Sequence, residues 1–250
     1  MTVWQGLLVL VAGVWAGTIN TVVGSGTLVS FPVLLGIGLP PVTANVSNTV
    51  GLFPGSFTGA WGYRRELAGQ RRRALVLGVA SAVGAIIGAV LLLELPAGAF
   101  KAIVPVLIVL ALLLVLFGAR ITCWLATRGH GATEHVGLAL WLVVLGTGVY
   151  GGYFGAAQGV LLMGFLGLFL AESLQRQNAL KNVLAGVVNF VAAIVFIATT
   201  HVDWAAAALI AVGSIIGGLL GARIGRRLPP TVLRATIVVV GLAAIVKLLL

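Results

Sequence analysis

Ten apolar segments recur along the chain, over residues 4–23, 27–39, 43–62, 74–93, 99–118, 137–154, 159–170, 178–200, 205–222 and 231–250. Eight approach the roughly 20 residues that an α-helix needs to cross hydrocarbon. The segments 27–39 and 159–170 are too short. The first of these follows Asn20 and Thr21 and the run Gly24-Ser25-Gly26-Thr27, and it contains Pro32. Its counterpart follows "GAAQG", residues 155–159. The pattern predicts helices interrupted inside a bilayer, where unpaired backbone is tolerated only if it is buried in protein or lines a watery cavity.

The two short segments hold equivalent places in a duplicated unit. A constant offset of 133 positions pairs Gly13 with Gly146, Gly26 with Gly159 and Leu28 with Leu161. It also pairs Asn45 with Asn178, Ser81-Gly84-Gly88 with Ser214-Gly217-Gly221, and Leu95-Pro96 with Leu228-Pro229. A shared register across Asn, Ser, Gly and Pro is informative where shared Leu and Val would not be. The expected division is a first transmembrane repeat at 1–119, a cytoplasmic linker at 120–136 and a second repeat at 137–250.

Charge predicts that the repeats are inverted. The loop after residue 62 carries Arg64, Arg65, Arg71, Arg72 and Arg73, whereas its counterpart "TTHVDW" has no Lys or Arg. The next pair of loops reverses the bias: "LELPAGAFK" holds only Lys101, and 223–234 holds Arg223, Arg226, Arg227 and Arg234. With loop 63–73 in the cytoplasm, Arg120, Arg128, Arg176 and Lys181 also fall inside. Of the 15 basic residues, only Lys101 and Lys247 are then left outside. Each half needs an odd number of crossings. Five full spans satisfy this, as does a re-entrant pair (1–39, 137–170) followed by three spans.

Composition settles the class. The chain is 60% hydrophobic and 8% charged, against about 25% charged in a soluble domain. It is therefore an all-α polytopic membrane protein, with two inverted-topology repeats and broken or re-entrant helices near the midplane. The lipid bilayer is its expected environment, and the net charge of +10 reflects topology and no nucleic-acid partner. The N-terminus lacks a basic region before its apolar run and reads as a retained segment. Cys123 is the only cysteine, so there is no internal disulfide. His130, His135 and His201 lie in loops, and no cofactor or metal is expected. The acids Glu66, Glu94, Glu134, Glu172 and Asp203 all lie near segment ends, which leaves no acid pair, triad or metal motif for an intramembrane enzyme.

The candidate chemistry is anion binding. A helix that starts at mid-bilayer offers amide hydrogens and a partial positive charge to an anion. Ser25, Gly26 and Thr27 open one such start, and Gln158 and Gly159 the other. The spans that follow open on "TANVSNT" (Asn45, Ser47, Asn48, Thr49) and "QNALKNV" (Asn178, Lys181, Asn182). Asn45 and Asn178 read alternatively as N-caps, Lys181 as a side chain reaching the interface, and Asn20 as a partner for freed backbone. Trp15, Trp61, Trp141 and Tyr63 fall near span ends and are expected in an interfacial belt. The stripes Ser81-Gly84-Gly88 and Ser214-Gly217-Gly221 suit close packing inside the chain or the seam of a homodimer. Carriers coupled to protons place an acid or His within the membrane, and none is evident here. A negative cell interior drives a monovalent anion outward by about 2.3 kcal/mol per 100 mV, sufficient for export.

The stretch "AGTINTVVGSGTLVSFPVLLGIGLPPVTANVSNTVGLFPGSFTGAWGYRREL", residues 16–67, resembles the TauE/SafE sulfite-exporter family, the TSUP transporters. Shared in order are the Gly-rich break, "PVLL", an Asn-rich span start, a proline and "GYRRE". The second half resembles the family through "GGYFGAAQGVLLMGF" and "NALKNVLAGVVNFVAAIVFI". It departs in a thinner glycine run and in Phe165, where the family has proline. The resemblance implies a multi-pass carrier in the bacterial inner membrane, exporting sulfite, sulfoacetate or related organosulfonates by alternating access. It implies binding of this small anionic substrate at Asn20, Ser25, Gly26, Asn45, Asn48, Gln158, Gly159, Asn178, Lys181 and Asn182. An anion channel with the same pore, or a membrane scaffold, are the other readings.

Overall fold

The computed structural model describes residues 1–128 and 136–224. Residues 129–135 of the expected linker, with His130, Glu134 and His135, the arginines after Arg223 and segment 231–250 lie outside them. Among the described residues the chain is helical without strands: α1 Val3–Val22, α2 Thr27–Gly36, α3 Pro41–Gly62, α4 Arg71–Glu94, α5 Ala97–Arg128, α6 Leu138–Tyr153, α7 Gln158–Phe169, α8 Leu174–Thr199 and α9 Trp204–Ile224.

Helix ends follow local chemistry. Thr2 and Gln5 form a reciprocal capping box at the start of α1, at 3.3 and 2.8 Å. Pro41 opens α3, where its missing N–H costs nothing. The Asp203 carboxylate accepts from the Ala206 amide at 2.9 Å and starts α9. The two breaks depend on left-handed backbone. α1 is closed off by Gly24, two residues past its end and with φ of 85°, whose amide joins that of Val23 on the Ile19 carbonyl. α6 ends before Gly155, with φ of 73°, and α7 begins after Ala157, with φ of 59°. A side chain in that region costs about 1–2 kcal/mol, so the second break is held in a conformation that alanine disfavours.

Among the described residues, five helical stretches are long and apolar enough to cross a membrane: Val3–Val22, Arg71–Glu94, Gly98–Phe117, Leu174–Thr199 and Trp204–Ile224. Two described segments expected to be full spans fall outside that set. α3 has 22 residues, but its Asn, Ser and Thr residues keep its hydropathy low. α6 has only 16 residues because the second break stops it. α5 continues past its apolar stretch to Arg128, into the region expected to be linker. An apolar surface runs around the helices, including Leu8, Val11, Val83, Ile87, Leu110, Leu113, Ile194 and Ile216, all exposed. Asn45, Ser47, Asn48, Gln158, Lys181 and Asn182 are buried instead. Polar inside and apolar outside is the distribution a bilayer solvent selects.

The glycine stripes bring helices together inside the chain. A Cβ on Gly217 would lie 2.1 Å from the Val14 carbonyl oxygen, and one on Gly213 2.5 Å from that of Leu10. α1 and α9 thus run in parallel at backbone contact. α6 and α4 do likewise: a Cβ on Gly84 would lie 2.3 Å from the Leu145 oxygen, and one on Gly88 2.0 Å from that of Val149. Both small-residue faces are therefore occupied by helices of the same chain. The α3–α8 contact is looser, since a Cβ on Gly186 would meet Phe57 and Ser56 at 3.4–3.5 Å, ordinary van der Waals range.

The two ends of the bundle differ. At one end Glu172 is ion-paired with Arg73 and, at 2.5 Å, with Arg176. Arg176 also donates to the Ala68 carbonyl at 3.0 Å, and Gln70 to the Arg176 carbonyl at 3.1 Å. These arginines hold the Glu172 carboxyl below its usual range, with the Arg176 hydrogen bond the largest cause. At the other end the Asp203 amide donates to Ser47 Oγ at 2.9 Å. The 26 residues of α8, about 39 Å of helix at 1.5 Å per residue, separate loop 63–70 from loop 200–203. Two expectations for single residues change. Tyr63 is buried against Ala179 and Ala222, away from any interfacial belt. Lys181 is fully buried on the second turn of α8 and does not reach the bundle surface.

Candidate functional site

The two breaks meet. The Gly159 amide donates to the Gly24 carbonyl at 2.9 Å, and a Cβ on Gly24 would lie 2.3 Å from Gly159 Cα. Only two glycines permit such an approach. The expectation of uncommitted amides at both starts is corrected here, because the Gly159 N–H is already paired across the crossing. The relation is one-sided. Gly26 is the partner of Gly159 at the 133-residue offset, yet the matching acceptor, Ala157 O, takes the amides of Val160 and Leu161.

Helix ends at the crossing are capped by side chains from across the bundle. α1 ends in carbonyls that have no helical donor. Lys181 Nζ donates to Asn20 O at 3.0 Å and Thr21 O at 3.1 Å, joined on Thr21 O by Asn182 at 3.2 Å and Asn178 at 3.4 Å. At the other break Asn45 Nδ2 donates to Tyr153 O, at the end of α6, at 3.0 Å. Asn45 and Asn178 thus perform the same task at equivalent positions. They cap the C-termini of other helices and do not N-cap their own.

The remaining predicted residues group around these caps. Asn20 Nδ2 donates to Ser56 Oγ at 3.1 Å, and Asn189 donates to the same hydroxyl at 3.3 Å. Asn48 bonds Ser30 and, at 3.3 Å, Thr27, fixing the first turn of α2. Ser25 is fully buried in the first break, and its hydroxyl has no partner among the described residues. Gln158, its offset partner, lies against Gly151 with its amide nitrogen likewise unpartnered. Lys181 connects the groups, since its Cδ lies 3.0 Å from the position of a Cβ on Gly159. Among the described residues no carboxylate pairs with Lys181, whose ammonium rests on helix-terminal carbonyls.

Ser56, Asn189, Thr21, Ser30 and Tyr153 take part without having been singled out by the sequence pattern. A signal for two of them was present. Ser56 lies eleven positions after Asn45, and Asn189 eleven after Asn178, which is three helical turns along the same face. Thr21 and Tyr153 contribute backbone carbonyls, which side-chain identity does not reveal.

Apolar helices of spanning length around a buried polar crossing define a multi-pass membrane protein, and relatives specify its kind. The family model for the sulfite exporter TauE/SafE matches residues 9–248, and the chain belongs to that family of membrane transporters. It is 30% identical over 241 residues to the probable membrane transporter protein ORF9 of Sinorhizobium sp, covering 96% of this chain and 90% of that protein. It is 27% identical over 253 aligned residues to the probable membrane transporter protein YfcA of Escherichia coli K12, covering 98% and 89%. A probable membrane transporter protein of Haemophilus influenzae is 24% identical over 238 residues, covering 94% and 91%. No solved structure matches significantly.

Proposed function

We propose that this transporter exports small sulfur-containing oxyanions, such as sulfite, sulfoacetate or related sulfonates, across the bacterial inner membrane by alternating access. The observation that carries the reading is the Gly24–Gly159 crossing, where helix breaks from the two sequence halves meet beside the buried ammonium of Lys181. Broken helices at matching places in inverted halves are where carriers of this architecture bind substrate. The family description supplies the sulfur anion. The arginine-rich end of the bundle, holding loop 63–70 and Arg176, is cytoplasmic on this reading. α1–α2 and α6–α7 are re-entrant pairs, each returning to the face it left.

Packing supports one division into moving bodies. Because α1 is fastened to α9 and α6 to α4 by backbone-to-glycine contact, the rocking units are not the two sequence halves. One unit contains α1, α3 and α9, and the other α4, α6 and α8. They meet along α3 and α8, where Gly186 does not bring the backbones into contact. Asn45 to α6, Lys181, Asn178 and Asn182 to α1, and Asn189 to Ser56 link one unit to the other, the Gly159–Gly24 bond joins the two breaks, and only Asn20 to Ser56 stays within the first unit. These bonds exchange as access alternates. The closed crossing favours a carrier over a channel.

The test is flux of sulfite and sulfonates from proteoliposomes. Asn45→Leu with Asn178→Leu should abolish flux while a monodisperse, helical protein remains, since only the Tyr153 carbonyl is left unpaired, at about 1–3 kcal/mol, and the Thr21 carbonyl keeps Lys181 and Asn182. Flux without saturation would indicate the channel, and no anion flux by the native protein would leave the scaffold.

A further inference from the structure

The charge of the crossing can be read from its helix ends. Two C-termini converge there, of α1 at Val22 and α6 at Tyr153, together with two N-termini, of α2 at Thr27 and α7 at Gln158. A helix end carries roughly half an elementary charge, negative at the C-terminus and positive at the N-terminus, so the two pairs offset one another. No acid pairs with the one buried ammonium among the described residues, and the other side chains at the crossing are neutral amides and hydroxyls: Asn20, Ser25, Asn48, Gln158, Asn178 and Asn182. Lys181 is left as the uncompensated charge. Its offset partner in the first half is Asn48, so the duplication supplies this charge only once.

We propose that the crossing presents one net positive charge, on Lys181, and therefore selects singly charged anions over doubly charged ones. This rests on the transport reading above and narrows its substrate class to hydrogensulfite and monosulfonates, at the expense of sulfate and dianionic sulfoacetate. A monoanion seated beside Lys181 neutralises the ammonium and takes up the unpartnered donors of Ser25 and Gln158. A dianion leaves its second charge buried without a counter-ion, where solvation is weakest. Selectivity thus follows net charge, and size is secondary.

The experiment pairs two ligands of nearly equal shape, sulfoacetate and its primary amide, sulfoacetamide, which differ by one charge at pH 6. Each is titrated against purified full-length protein at constant ionic strength, with ligand-induced thermal stabilisation as the readout. The same anions are then followed as flux into proteoliposomes, with methanesulfonate and sulfate as a second pair. The monoanion of each pair should bind at least about tenfold more tightly. Lys181→Arg should keep that ratio, and Lys181→Gln should weaken the monoanion by a similar factor. Native protein that binds sulfoacetate within tenfold of sulfoacetamide overturns the inference and leaves sulfonate transport standing. Native protein that neither binds nor moves any of the four overturns both. The comparison is made on the native chain, so it holds even if Lys181→Gln fails to fold.

Discussion

Gly24→Ala is the sharpest perturbation of the crossing. Gly24 has φ of 85°, and a Cβ there would lie 2.3 Å from Gly159 Cα, well inside the roughly 3.5–4.0 Å at which carbon atoms rest. Backbone on one side and a glycine Cα on the other leave no flexible side chain to yield, so α1 or α7 must shift by more than an ångström. That shift breaks the 2.9 Å bond from the Gly159 amide to Gly24 O. Left-handed alanine costs about 1–2 kcal/mol and an unpaired buried amide about 1–3 kcal/mol, so the loss is about 2–5 kcal/mol. A typical domain has only ~5–15 kcal/mol. Gly78→Ala is the matched control, because nothing lies within 4 Å of its Cβ position in α4 and helix propensity favours it by about 0.5–1 kcal/mol. Thermal unfolding in detergent and anion flux are measured for both. Gly24→Ala should unfold well below the native protein and lose flux, while Gly78→Ala holds or gains stability. A Gly24→Ala protein with native unfolding temperature and native flux would refute the back-to-back crossing.

Two further outcomes are expected. The Glu172 carboxyl is held below its ordinary value of 4.5 by Arg176 and Arg73, so its ion pairs stabilise the fold fully above that value and are lost as pH falls through the depressed one. Unfolding temperature should therefore fall on acidification below about pH 4.5, and Glu172→Gln should flatten that limb; an unchanged acid limb would show that the network contributes nothing. Ala68→Cys and His201→Cys, introduced separately with Cys123→Ser, should react with a membrane-impermeant thiol reagent from opposite sides of intact inner membranes. Labelling from one side would overturn the threading.

Much of the site was visible in the pattern of residues. The 133-residue register singled out Asn45, Asn178, Gly26 and Gly159 because polar and glycine positions are scarce in an apolar chain, so their recurrence is not drowned by Leu and Val. The short segments 27–39 and 159–170 marked α2 and α7 for the same reason. α6 was harder to read. Residues 137–154 are apolar almost throughout, and hydropathy does not register the left-handed backbone that ends the helix before Gly155. Tyr63 was misplaced because an aromatic ring at a span end suits either the interface or a gap between helices, and its surroundings are set by Ala179 and Ala222, far away in sequence.

Composition and periodicity by themselves determined that the chain is a helical membrane protein, with its helix breaks and buried amides in matching places, because these depend on local chemistry and on the solvent around each segment. Tertiary structure alone decided partnership. It turned Asn45, Asn178 and Lys181 onto the carbonyl ends of helices from the other half, and it committed the Gly159 amide to Gly24. It also used the glycine stripes to fasten α1 to α9 and α4 to α6. The reason is physical: in lipid every terminal carbonyl and amide must find a donor or acceptor, and which one it finds depends on which helix lies beside it.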